Sequence, residues 1–307
     1  MANQIITPTL IAAQALENLY QQTILAQLVH RDLDREFAPG RGATVNMKVP
    51  ASFTAQDYNR TTRTITLQDA TERKLPVVVD RIKDVSFEVT SEELAMDIVD
   101  FNTQLLMPAT EAIAQAIDAT IAAELLAAST QAAVAASGET AGTAAGGGKI
   151  GAGAAGSAMT DPLLLRTARK VLNQAAVPMT GRAAVYSHEA EAGVLGDEHL
   201  IDNSRSGSNA ALREGTVGRL YGFDGYHSGN LADDASLAFW RDAYALIMRP
   251  MPVPKSVNGR SIARDGFAVR VTQSWDQGRK AEVCSVDVLF GTKVLRPEAI
   301  TNIVASA

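Results

Sequence analysis

The feature that most restricts the fold of this chain is a long segment that offers almost no side chains for burial. Between residues 127 and 158, 13 positions are alanine and eight are glycine. This composition is typical of a flexible connection, because it gives a core little apolar surface. We therefore predict a linker over residues 129–158 that separates two folded parts of the 307-residue chain.

The first part begins with a predicted helix over residues 7–32. Thr7 can cap this helix, Pro8 suits its first turn, and apolar residues recur at helical spacing as far as Leu28. A cluster of turn residues at 37–42 then ends the helical pattern. The N-terminal segment is thus predicted to be a single amphipathic helix.

Strand-like segments follow at 44–49, 62–67, 75–79 and 85–89. Between Gln56 and Asp84 there are six basic and five acidic residues, with little apolar material. A long two-stranded ribbon of this kind is marginal alone in water and needs a surface to lie against. It is either a solvated hairpin or an arm that contacts a neighbouring subunit. For the second interpretation, the candidate contact residues are Arg60, Arg63, Asp69, Glu72, Arg73 and Lys74.

A helical region follows the ribbon. Thr90 and Glu93 match a capping box, and the helix that they open is predicted to be interrupted near Met107 by Pro108. The next helix is predicted to end near residue 128. It carries one apolar row at a spacing of four, made by Ala109, Ile113, Ile117, Ile121 and Leu125. Twenty residues at 1.5 Å each give a rod of about 30 Å, which is long enough to be the spine of a domain.

The second part mixes helices and strands. We predict helices from Asp161 and Pro162 to about 177 and over 190–195, and a polar loop over 197–215. Predicted strands cover 183–186, 216–220, 223–227, 236–248, 267–272 and 281–290, with a turn at 276–279 between the last two. The order of elements indicates an α+β fold without internal repeats.

The apparent catalytic and binding motifs fail on their context. Residues 146–151 match G-x-G-x-x-G but lie in Ala/Gly-rich sequence, not between a strand and a helix. His188 and Glu189 begin like a zinc-protease helix, yet Ala192 stands where the second histidine ligand is required. An acidic cluster at 189–202 fits no cation loop, and Cys284 alternates with apolar residues as a core residue does. We predict no catalytic, cofactor-binding or metal-binding residues, although an enzyme or small-molecule binder with a mixed α/β domain remains an open alternative.

Charge and hydropathy restrict the partners. The net charge of −6 disfavours a protein that grips nucleic acid over its whole surface. No apolar run approaches the roughly 20 residues of a membrane helix, and the start lacks a signal-peptide pattern. With one cysteine and no internal disulfide, the chain is expected to fold in a reducing cytoplasm.

In the order of its segments, the chain resembles the HK97-fold major capsid proteins of tailed bacteriophages, in particular the branch similar to the coat protein of phage P22. The stretches that carry this resemblance are 6–10, 25–32, 89–94, 161–182, 218–231 and 287–297. Together they span most of the chain. Residues 197–215 are too short for the additional folded domain of the P22 coat protein, so functions of that domain are not transferred.

The resemblance implies names for the parts. They are an N-terminal arm (1–42), an extended E-loop with flanking strands (43–89), a peripheral domain with the spine helix (90–128), the Gly/Ala-rich linker (129–158), an axial domain (159–260) and strands that return to both domains (261–307).

The resemblance also implies a function. Such proteins self-assemble into pentamers and hexamers of an icosahedral shell that encloses double-stranded DNA, with a scaffolding protein and a portal as partners and without cofactors. The chain would then reside in the virion after assembly in the bacterial cytoplasm. The alternative is the shell protein of an encapsulin-like compartment, or another structural virion protein.

Overall fold

The computed structural model describes residues 8–31, 44–49, 55, 73–90, 102–130, 149–150, 162–201, 214–232, 235–278 and 281–303. The predicted strand at 62–67, the capping box at Thr90–Glu93 with the helix after it, and Asp161 as a cap lie wholly or partly outside these residues. Buried apolar residues of the described chain form a large cluster that extends from the N-terminal helix through two β-sheets.

The predicted N-terminal helix over 7–32 is wrong in one respect, because it consists of two helices. α1 spans Pro8–Gln22 and α2 spans Leu25–Leu28. At the break, the carboxylate of Asp118 accepts hydrogen bonds from the backbone N–H groups of Ile24 (2.7 Å), Leu25 (3.2 Å) and Ala26 (3.0 Å). A distant side chain thus satisfies the donors that a new helix leaves unpaired at its start.

The spine helix, α3, spans Met107–Thr130 and confirms the predicted apolar row. Ala109, Ile113, Ile117, Ile121 and Leu125 are all buried. A π-helical turn at Asn102–Leu106 leads directly into α3, so Pro108 does not interrupt the chain's helical course.

The segment Gln104–Ser129 is long and apolar enough to pass as a membrane span by length and composition alone, contrary to the expectation that no apolar run is long enough. Its alanines raise the hydropathy above that of a typical amphipathic helix. Its apolar row is buried, and α3 packs against α1 and against the strand at Arg81–Thr90. This is the packing of a core helix.

The first sheet has five antiparallel strands. In spatial order, β10 (Asn258–Arg264), β11 (Phe267–Asp276), β12 (Ala281–Val294) and β3 (Arg81–Thr90) are neighbours, and β9 (Tyr244–Arg249) pairs with the far half of β12. The predicted strands at 267–272 and 281–290 are confirmed and are longer than expected. A separate ribbon is made by β1 (Thr44–Val49) and β2 (Arg73–Val78), which pair antiparallel.

The second sheet has six strands in the order β4, β13, β8, β5, β7, β6. They span Lys149–Ile150, Ile300–Ile303, Ser236–Trp240, Arg182–Tyr186, Phe223–His227 and Arg219–Leu220, respectively. Three helices accompany this sheet: α4 (Leu163–Gln174), α5 (His188–Leu195) and α6 (Glu198–Ile201). Pro162 precedes α4 instead of lying in its first turn.

Three further expectations are corrected in this part of the chain. The predicted strand 236–248 is two strands, β8 and β9, which belong to different sheets. A 3₁₀ turn at Arg241–Ala243 separates them, and the Ala243 carbonyl accepts hydrogen bonds from the N–H groups of Leu295 (2.8 Å) and Arg296 (3.1 Å). Of the predicted strand 216–220, only Arg219–Leu220 is extended and paired. Lys149–Ile150, inside the predicted linker, pairs parallel with β13.

Candidate contact surface at the ribbon root

Two of the six predicted contact residues are placed by the structure. Arg73 and Lys74 begin β2, where they lie opposite Val49 and Lys48 of β1. Arg60, Arg63, Asp69 and Glu72 lie outside the described residues. Like charges directly opposite each other across two strands are destabilising. In the register of the ribbon, Lys74 lies opposite Lys48, a basic residue that the sequence analysis did not single out.

The ribbon root, which we define as Val77–Arg81, is attached to one face of the five-stranded sheet by apolar contacts. Val77 and Val79 are 0% and 5% exposed and form a small core with Ala245 and Ile247 of β9. This core is separate from the main one. It ties the ribbon to the sheet independently of the rest of the interior.

Close backbone contact at Gly291 of β12 allows this attachment. A β-carbon built at Gly291 would clash with the Val78 carbonyl oxygen and would lie 2.7 Å from the Val79 α-carbon and 2.9 Å from the Val78 carbonyl carbon. These are backbone atoms, so rotation of a side chain cannot relieve the overlap. The position therefore requires glycine for reasons of space.

Arg81 attaches the root to the other face of the sheet. Its guanidinium lies 2.5 Å from the Glu124 carboxylate of α3. The same carboxylate accepts hydrogen bonds from the Tyr244 hydroxyl (2.7 Å) and the Thr292 hydroxyl (3.1 Å). Burial, together with Glu124, raises the pKa of Tyr244, so its hydroxyl stays protonated and donates. One carboxylate thus joins α3, β3, β9 and β12.

Apolar side chains also face solvent near the root. Val78 of β2 is 44% exposed and Ile82 of β3 is 59% exposed. Trp275 is also 56% exposed, but it lies at the opposite end of the sheet, across from Glu282 of β12. Large apolar groups next to a charged ribbon are characteristic of surfaces that become buried against another protein.

Within the part of the chain that the structure describes, the remaining reactive side chains do not form a catalytic arrangement. Burial raises the pKa of Cys284 to about 12, with a smaller effect from Glu282, so the thiol is a protonated core group and not a nucleophile. His188 and His227, which the sequence analysis did not connect, lie together with ring nitrogens 3.0 Å apart, and Glu191 is 3.7 Å from His227. Among the residues that the structure describes, no group of three or more His, Cys, Asp or Glu could hold a metal ion.

Comparison with known proteins gives structural matches only. No protein-family model matches the sequence, and no curated protein matches it. A chain of Mycobacterium phage Che8 is 22% identical, with a TM-score of 0.64 over 92% of this chain and 91% of that chain. A chain from the capsid of cyanophage P-SCSP1u is 16% identical, with a TM-score of 0.63 over 86% and 84%. A chain of the virus-like particle from Pyrococcus furiosus is 11% identical, with a TM-score of 0.53 over 95% and 97%. At these identities the matches establish a shared fold over nearly the whole chain.

Proposed function

We propose that this chain, which has the HK97-like fold of phage capsid proteins, is the major capsid protein of a tailed bacteriophage. The observation that carries the proposal is the length of the structural match. A capsid chain from cyanophage P-SCSP1u aligns over 86% of this chain and 84% of its own length. The role is structural, and the working surface is the ribbon with its root.

The assembled form is a shell of pentamers and hexamers in which each ribbon lies across the next subunit. Two features support this arrangement. The ribbon sequence contains many basic residues and few apolar ones. Val78 in the root and Ile82 just after it are exposed to solvent. Mixed charges select the register and the partner more than they add affinity. We assign residues 43–89 to the E-loop with its flanking strands, of which β3 also joins the five-stranded sheet. That sheet with α3 would be the peripheral domain, and the six-stranded sheet the axial domain.

Partners follow from this role. The shell would enclose double-stranded DNA without reading its sequence, which agrees with a net charge of −6 on the subunit. We propose a scaffolding protein and a portal as assembly partners, with assembly in the bacterial cytoplasm and the finished shell in the virion. Membership of the P22-like branch stays a prediction from the sequence stretches.

A second candidate is the shell protein of an encapsulin-like compartment. The match to the virus-like particle from Pyrococcus furiosus favours it, since 95% of this chain aligns with 97% of that chain. Its TM-score of 0.53 is lower than the 0.64 for the Che8 chain. Particles that contain a cargo protein instead of DNA would support this candidate.

Reversal of two ribbon charges tests the capsid proposal. Purified wild-type protein is expected to form closed shells of uniform size, seen by negative-stain imaging and sedimentation. Arg73→Glu with Lys74→Glu is expected to lower the shell yield at least about tenfold, because attraction to the neighbouring subunit becomes repulsion. Circular dichroism should show a folded subunit.

The matched control reverses Arg166 and Lys170, two exposed cations on α4, to glutamate. It changes the net charge equally and should leave shell formation intact. Uniform, salt-stable shells from the Arg73/Lys74 variant would contradict the role of the ribbon. A stable wild-type monomer whose melting temperature depends on a small ligand would overturn the proposed function itself.

A further inference from the structure

We infer that Glu124 is a positioning residue that sets the direction in which the ribbon leaves the subunit, and thereby the curvature of the shell. This inference rests on the proposed function. It assigns to one carboxylate on the spine helix a role in the geometry of assembly that is distinct from holding the subunit together.

The ribbon root is attached on two opposite faces of the sheet within a few residues. Val77 and Val79 pack against β9 in the small separate core, while Arg81 reaches Glu124 of α3. With only one of these side-chain attachments, the ribbon could still pivot where the pairing of β3 with β12 begins, at Arg81 and Phe290. Two attachments on opposite faces remove this freedom, so loss of either one is expected to widen the range of ribbon directions.

Glu124 is suited to fix the second attachment because its two oxygens bind to different elements. Oε1 interacts with Arg81 and with the Thr292 hydroxyl, and Oε2 accepts from the Tyr244 hydroxyl. Tyr244 is fully buried and Thr292 lies on β12, so these two contacts hold the carboxylate in one rotamer. The carboxylate therefore presents Arg81 with a fixed target and not a mobile one.

The ion pair contributes little to stability, and this separates its positioning role from a structural one. The Arg81 side chain is 42% exposed and that of Glu124 is 26% exposed. Pairs with this much solvent access contribute little net free energy, because solvent screens them and ordering two long side chains costs entropy. Loss of the charge on Glu124 is thus expected to change the direction of the ribbon while the melting temperature changes little.

Glu124→Gln and Arg81→Gln test the inference in the full-length chain. Glutamine at 124 keeps a carbonyl oxygen for Tyr244 but removes the charge that binds Arg81. Both variants should melt within a few degrees of the wild type. Hydrogen exchange of the amides at 78–82 should be about tenfold faster, because the root opens more often. Their shells should be broader in diameter, or shifted, in negative-stain images.

Three further variants make the result specific. The double variant should behave like either single one, because both remove the same contact. Arg81→Lys keeps the charge and should restore part of the wild-type shell uniformity. Glu111→Gln, an exposed carboxylate on the same helix, is the matched control and should have no effect.

The outcomes distinguish this inference from the proposed function. Shells of wild-type uniformity from both Gln variants, with unchanged exchange at 78–82, would overturn the role of Glu124 while leaving the capsid assignment intact. Failure of the wild type to form shells would overturn the proposed function. The exchange measurement on unassembled subunits would still show whether Glu124 holds the root.

Discussion

Gly291→Ala is expected to lower the free energy of unfolding by about 3 kcal/mol and to release the ribbon root from the sheet. The added methyl group would overlap the backbone of Val78 and Val79, at 2.7 Å from the Val79 α-carbon. Overpacking of this kind typically costs about 1–3 kcal/mol, and here the neighbouring atoms belong to the backbone and cannot rotate away. Urea unfolding measures the loss.

Limited proteolysis of the same variant separates local from global effects. If the root detaches, cleavage within the ribbon should accelerate more than cleavage elsewhere, because Val77 and Val79 lose their contact with β9. Gly278→Ala is the matched control. It lies in the exposed β11–β12 turn, where the nearest described atom to an added β-carbon is an Asp276 carboxylate oxygen at 3.4 Å, and it should change stability by less than about 0.5 kcal/mol. An unchanged unfolding midpoint for Gly291→Ala would show that the backbone contact is not close in solution.

Asp118→Ala is expected to destabilise the chain by about 3 kcal/mol. The Asp118 side chain is 2% exposed and is the acceptor for three N–H groups at the start of α2. Its removal leaves buried donors without a partner, and each such group costs about 1–3 kcal/mol. Asp118→Asn keeps one acceptor oxygen and should lose less stability. Glu111→Ala, on the exposed side of the same helix, is the control, and a loss equal to that of Asp118→Ala would contradict the capping role.

The stability difference between wild type and Asp118→Asn should also depend on pH. Burial raises the pKa of Asp118 above its ordinary value of 3.8, although the three N–H groups lower it. The native state therefore holds this proton at pH values where the unfolded chain has released it. The wild type should lose stability relative to the Asn variant as pH rises above 3.8, and the difference should level off once the native carboxyl is ionised. Urea titrations of both proteins from about pH 4 to pH 8 measure this.

Local patterns predicted the regular elements well. The row from Ala109 to Leu125 is buried as expected, because a spacing of four places those residues on one helix face. The alternation at 267–272 and 281–290 corresponds to β11 and β12. The strands of the ribbon were predicted at 44–49 and 75–79, but the sequence did not predict that β1 and β2 pair with each other, because 23 residues and a further predicted strand separate them.

Features that depend on distant contacts were not predictable. The helix break at Thr23 depends on Asp118, more than 90 residues away. The division of 236–248 into β8 and β9 depends on the crossing near Ala243, because both strands are apolar on both faces and the sequence there reads as one run. Nothing in the neighbouring sequence indicated the structural roles of Glu124 and Gly291. One resembles an ordinary helix carboxylate and the other an ordinary strand glycine, and only the packed structure gives them partners.

The order in which the strands enter the two sheets has a consequence for synthesis in the cell. β12 lies between β11 and β3 in one sheet, and β13 lies between β4 and β8 in the other, yet both come after residue 280. Neither sheet can close while the ribosome is still translating the earlier segments, and contacts between residues so far apart in the chain form slowly. A nascent subunit would therefore present an unfinished edge in each sheet until translation has passed this point.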